Sequence, residues 1–148
     1  MPLFILAALL FLPSAVQAKQ LAVITDAANP ASNFSGDDLL KILNLRTHTW
    51  PDGKPIIVVV RDPSVAAMQL VLHKVFNMSV DQAHAFIQAH KGSIMVADSD
   101  QAVIRFVASN WGAIGIVDVY SLTNEVHVVK VDGKLPFEQG YLLKGNEP

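Results

Sequence analysis

The run Ile56-Ile57-Val58-Val59-Val60 ends at Arg61, and Arg61-Asp62-Pro63-Ser64 leads straight into apolar residues at helical spacing. In open α/β sheets, ligands bind beyond the carboxyl ends of the strands. The first turn of a helix there offers unpaired backbone N–H groups and the positive end of the dipole to an anion. Arg61 would add a planar fork of donors matched to an oxyanion, and Ser64 a hydroxyl. The same residues also admit a plainer reading. Pro63 withholds one N–H and Asp62 sets a negative charge where an anion would sit, which describes an ordinary capped helix beside a surface arginine.

Other chemistry is sparse. The histidines His48, His73, His84, His90 and His127 show no metal-ligand spacing. Asp37, Asp38, Asp98 and Asp100 fall at helix caps or in first helical turns, where carboxylates complement the helix dipole. There is no glycine-rich phosphate loop, nucleophile elbow or zinc motif. With no cysteine in the chain, thiolate metal sites, disulfides and a cysteine nucleophile are also excluded. No nucleophile can be matched with a base, so neither an enzyme nor a cofactor is expected. Trp50 and Trp111 are read as aromatic packing beside turns rather than as the lining of a cleft.

Composition narrows the class further. The 148 residues carry a net charge of −2, without the basic excess that nucleic-acid binding requires. Residues 1–18 hold no charged side chain, and Leu3 to Leu12 is an unbroken apolar run of ten. That run is too short to span a bilayer core of ~30 Å. It is broken by Pro13-Ser14 and followed by Ala15-Val16-Gln17-Ala18, the pattern of a cleaved secretory signal peptide. The expectation is therefore a signal peptide at 1–18, one soluble exported domain at 19–148, and no transmembrane segment once the leader is removed.

Within that domain, periods of two and 3.6 residues alternate. Leu21–Thr25, Ile56–Val60, Ser93–Ala97, Ala113–Val117 and Val126–Val131 read as strands, with Gly140–Leu143 as a short terminal extended piece. Ile56–Val60, the clearest of them, has no polar alternation, which indicates burial on both faces. Capping-box spacings at Ser35/Asp38 and Ser79/Gln82 open two helices. Asp62 as N-cap with Pro63 at the first position opens another, and Asp98 with Gln101 a fourth. Strands alternating with helices predict parallel pairing through right-handed crossovers. The fold class is α/β, a three-layer sandwich with a mostly parallel sheet.

In order along the chain, these segments resemble the periplasmic phosphate-binding proteins that feed ABC transporters. The matching residues are Asn29-Pro30 with Ser32, Leu39-Leu40 with Ile42-Leu43, Thr49-Trp50-Pro51-Asp52-Gly53-Lys54-Pro55, and Ile56 through Arg61. They continue with Asn110-Trp111-Gly112-Ala113-Ile114-Gly115-Ile116-Val117, Val131-Asp132-Gly133 and Gly140-Tyr141-Leu142. The resemblance implies one lobe of a type 2 periplasmic-binding fold, a periplasmic location, and phosphate or a similar oxyanion as ligand. Of the family's arginine followed by Ser-Gly-Thr, Arg61 carries over, and Ser64 stands in for the hydroxyls.

Two functions follow from these readings. One is solute binding for ABC transport or sensing, with a permease, a sensor protein or a second copy of the chain as partner. The other is a protein-interaction or sensory module without a small ligand, suggested by the replacement of Ser-Gly-Thr with Asp62-Pro63-Ser64.

Overall fold

The computed structural model describes residues 19–145. The expected signal peptide at 1–18 lies outside these residues. The described elements are β1 (Lys19–Asp26), β2 (Asn33–Phe34), α1 (Gly36–Leu43), β3 (Ile57–Val60) and α2 (Ala66–Val71), which continues as a π-helical turn over Leu72–Phe76. Then follow α3 (Val80–Ala89), β4 (Ile94–Val96), α4 (Asp100–Ser109), β5 (Ala113–Asp118), a 3₁₀ turn at Val119–Ser121, β6 (Val126–Val131) and β7 (Lys144–Gly145). Among the described residues, no helix is long and apolar enough to cross a membrane.

The strands form one sheet in the order β2-β6-β1-β5-β3-β4, with β7 also paired to β1. β3 runs parallel to both β4 and β5, and β2 runs parallel to β6. Among the described strands, each antiparallel ladder involves β1, whose neighbours β5, β6 and β7 all oppose it. The sheet is thus mostly parallel in direction, with the first strand inserted near its centre against the grain. Local sequence cannot specify that insertion, because a strand buried on both faces has the same apolar pattern whichever way it points.

Alternation along the strands divides the core in two. Leu21, Val23, Val58, Val60, Ile114 and Ile116 face one layer, where Leu39, Ile42 and Leu43 of α1 and Met68, Leu70 and Val71 of α2 complete the packing. Phe86 and Ile87 of α3 lean on the same layer. Ala22, Ile24, Val59, Ala113 and Val117 face the other, covered by Val103, Ile104 and Val107 of α4. These two cores are the three-layer sandwich. Full burial of such an aliphatic side chain contributes about 1.5–3 kcal/mol, and the β1 residues Ala22, Val23 and Ile24 have no exposed surface.

Both capping boxes form. The Ser35 hydroxyl accepts from Asp38 N at 3.0 Å and the Ser79 hydroxyl from Gln82 N at 3.1 Å, each reciprocated by the side chain of that third helical residue. Two helix starts differ from the sequence reading. α4 is capped by Ser99, whose hydroxyl accepts from Ala102 N at 3.0 Å, one residue after the expected Asp98. α2 starts at Ala66 instead of Pro63. Asp62 folds back on its own turn, its carboxylate accepting from Ser64 N at 2.9 Å while Val65 N donates to the Asp62 carbonyl. A short acidic side chain can satisfy a local turn as readily as a helix start, and here the turn forms. At the other end, Leu142–Leu143 is a turn, and the extended piece falls at Lys144–Gly145.

Candidate functional site at the carboxyl ends of the strands

Because β1 opposes its neighbours, its amino end lies at the same pole as the carboxyl ends of β3, β4, β5 and β6, with Leu21 paired to Asp118. The pole therefore gathers Arg61 after β3, the first turn of α4 after β4, and Asp118 with the following 3₁₀ turn after β5.

Arg61 is three-quarters buried, and its Nη1 donates to Asp100 Oδ1 at 3.1 Å. The second Asp100 oxygen, Oδ2, accepts from Asp118 N at 3.1 Å and from the Ser121 hydroxyl at 2.8 Å. Asp100 occupies the first turn of α4, at the positive end of that helix. One carboxylate thus receives a guanidinium, a backbone N–H and a hydroxyl. Arg61 Nε is buried without a hydrogen-bond partner.

Ser64 lies in the same turn as Arg61 but answers to a different carboxylate. Its hydroxyl donates to Asp62 Oδ1 at 2.6 Å, and His84 Nε2 from α3 approaches the same oxygen at 3.2 Å. The hydrogen bonds from the Ser64 hydroxyl and backbone, followed by His84, lower the Asp62 carboxyl from 3.8 to about 2. Gln69 of α2 donates to the Ser64 carbonyl at 3.1 Å and ties the turn to its helix. Serine, aspartate and histidine meet here, but the carboxylate stands between the other two. His84 is therefore not placed to take the Ser64 proton, as a nucleophile's base must.

Arg61 and Ser64 are accordingly held at one pole, in one turn, on separate acidic partners. Sequence reasoning explained Asp100 as a helix-dipole residue and did not reach Ser121 or the Asp118 N–H. No local signal joins these groups, since Asp100 lies 39 residues from Arg61 and 21 from Ser121. Among the described residues, no group of three or more histidine or acidic side chains is arranged to hold a metal ion.

A concavity lies at the opposite pole, beside the amino ends of β3 and β5. It has a volume of about 380 Å³ and is lined by residues including Asn29, Phe34, Trp50, Asp52 and Trp111. Trp50 stacks on Phe34 at 6.2 Å and meets the edge of Trp111 at 6.1 Å, with Lys54 Nζ 4.2 Å above the Trp111 ring. Trp50 is buried, consistent with a packing role.

No protein-family model matches the sequence, and no curated protein matches it. Solved structures do match the fold. An ABC-type phosphate transport receptor from Vibrio cholerae superposes with a TM-score of 0.67 at 18% identity, over 89% of this chain and 56% of that one. The chain has the fold of these phosphate-binding structures. A phosphate-binding protein from Stenotrophomonas maltophilia gives 0.67 at 17% identity, over 82% of this chain and 41% of that one. A human phosphate-binding apolipoprotein gives 0.63 at 18% identity, over 90% and 43%. The chain spans about half the length of the solved structures it matches, so the likeness is to one part of them.

Proposed function

We propose that this protein is an exported solute-binding module that takes phosphate or a similar oxyanion at the carboxyl-end pole, with Arg61 as its principal cation and Ser64 beside it. On this reading residues 1–18 direct export to the periplasm, residues 19–148 form one binding domain, and an ABC permease or a sensor receives it. The observation that carries the reading is Arg61, a guanidinium at the end of an interior parallel strand and next to helix starts, in a fold shared with phosphate-binding structures. Such a fork gives bidentate, charge-assisted hydrogen bonds to an oxyanion. The reading assigns the domain binding and no catalysis.

The test is calorimetric titration of the full chain with inorganic phosphate, with sulfate as comparison, repeated on Arg61→Ala. Saturable phosphate binding that Arg61→Ala abolishes supports the site. Binding unchanged in Arg61→Ala removes Arg61 from it, and a flat trace from folded protein removes the ligand.

A second reading, a protein-interaction or sensory module without a small ligand, is favoured by two aromatic side chains at the same pole. Tyr120 in the 3₁₀ turn after β5 is 77% exposed, and Phe137 beyond β6 is 67% exposed. Large exposed aromatics suit a protein contact. A flat phosphate trace together with stable capture of one periplasmic protein, lost in Tyr120→Ala or Phe137→Ala, would select it.

A further inference from the structure

Resting on the oxyanion reading, we propose that the Asp100 carboxylate is a built-in occupant of the anion position, and that an external oxyanion binds by displacing it from Arg61. The groups that would hold a bound anion at this pole already converge on Asp100. Arg61 Nη1 lies 3.1 Å from Oδ1, and Asp118 N and the Ser121 hydroxyl lie 3.1 and 2.8 Å from Oδ2. These donors come from the residue after β3, the end of β5 and the turn after β5, and the carboxylate itself comes from α4. This convergence of strand ends is where the fold class places a ligand.

Asp100 is no casual surface contact, with a side chain only 15% exposed. Three donors to one carboxylate satisfy most of its lone-pair sites and hold it as they would hold a small bound anion. A tethered group also competes at high effective concentration, which an external ligand must overcome. While Asp100 stays in place, an approaching dianion meets an Arg61 already neutralised, with the Asp62 carboxylate in the adjoining turn. Displacement frees Nη1, and the buried Nε–H of the same guanidinium already has no acceptor. Asp100 therefore sets the affinity of the site: it keeps Arg61 paired when no anion is bound and weakens every anion that competes.

The experiment compares inorganic phosphate binding by the full-length wild-type chain, Asp100→Asn and the double variant Asp100→Asn/Arg61→Ala, by calorimetry, with thermal melts to establish folding. The expected result is at least tenfold tighter phosphate binding in Asp100→Asn, lost in the double variant. Should Asp100→Asn fail to fold, Asp100→Ser, which keeps a polar first-turn residue, carries the same expectation. Wild-type binding that neither variant tightens overturns the proposal and leaves the oxyanion reading intact. Folded wild-type and variant proteins that all give flat traces overturn both.

Discussion

The indole Nε1 of Trp50 donates to the carbonyl oxygen of Gly112 at 3.1 Å, across 62 residues of sequence. The same carbonyl accepts from Ile57 N at 2.9 Å, at the start of β3. The Trp50 loop and the Asn110-Trp111-Gly112 turn, remote in the chain, thus clamp the amino end of β3 against β5. This fixes where the parallel pair begins and hence where Arg61 emerges at the far end. A side chain at Gly112 would collide with the Pro55 carbonyl oxygen, which is backbone and cannot swing away. Gly112→Ala is expected to cost stability at or above the upper end of the about 1–3 kcal/mol typical of overpacking. Trp50→Phe, which removes only the indole donor and some area, is expected to cost about 0.5–1.5 kcal/mol for the hydrogen bond. Urea unfolding of both variants checks the ranking.

Gly115 sets how closely α4 approaches the sheet. A Cβ there would lie 2.7 Å from Val103 Cγ1 and 3.0 Å from Val107 Cγ2, with Ile24 Cγ1 at 3.3 Å. β-Branched side chains on a helix have one strongly preferred rotamer and little room to yield. Gly115→Ala should destabilise by about 1–3 kcal/mol. Pairing it with Val103→Ala should recover part of that loss, since the two changes share one contact. A double-mutant cycle in urea measures the coupling, and strict additivity would contradict it.

Tyr141 anchors the carboxyl-terminal segment to the first strand. Its buried hydroxyl donates to the Leu21 carbonyl at 2.6 Å, and Leu21 N donates to the Leu143 carbonyl at 2.9 Å. Burial holds the phenol well above its ordinary range, so it remains a donor across the working pH range. Tyr141→Phe should lower stability by about 1–2 kcal/mol, the loss expected when a buried hydrogen bond is broken and its acceptor left behind. Amide hydrogen exchange should rise at Leu21 more than at β3 if this anchor is local.

Asp62 should titrate unusually low for so exposed a carboxylate. Its folded value of about 2 lies below the ordinary 3.8, held there first by the Ser64 hydroxyl. A depressed carboxyl stabilises the fold above its unfolded value and loses that contribution as pH falls toward the folded one. The window is therefore roughly pH 4 down to 2, and exposure to solvent keeps the contribution small. Ser64→Ala should return the Asp62 carboxyl toward 3.8, read by carbon NMR of the side chain. No movement would assign the depression to the Ser64 backbone N–H and His84 instead.

Much of this architecture was legible in the chain itself. The β-branched run Ile56–Val60 and the unalternating strands at Leu21–Thr25 and Ala113–Val117 declare a sheet covered on both faces. Ser35/Asp38 and Ser79/Gln82 mark two helix starts with groups that bond each other within four residues. Asp62-Pro63 was less legible, because an aspartate can close its own turn or cap a helix, and which it does depends on what lies beyond.

The sequence by itself determined the strands and most of the helices, the three-layer arrangement and the placing of Arg61 at a strand end, because these follow from periodicity, capping chemistry and burial over short spans. The tertiary structure alone decided that β1 runs against its neighbours, and that Arg61 is met by Asp100 while Ser64 turns to Asp62. Strand direction and ion pairing between residues tens of positions apart depend on which segments become neighbours in space. That is a property of the packed sheet, and no local pattern carries it.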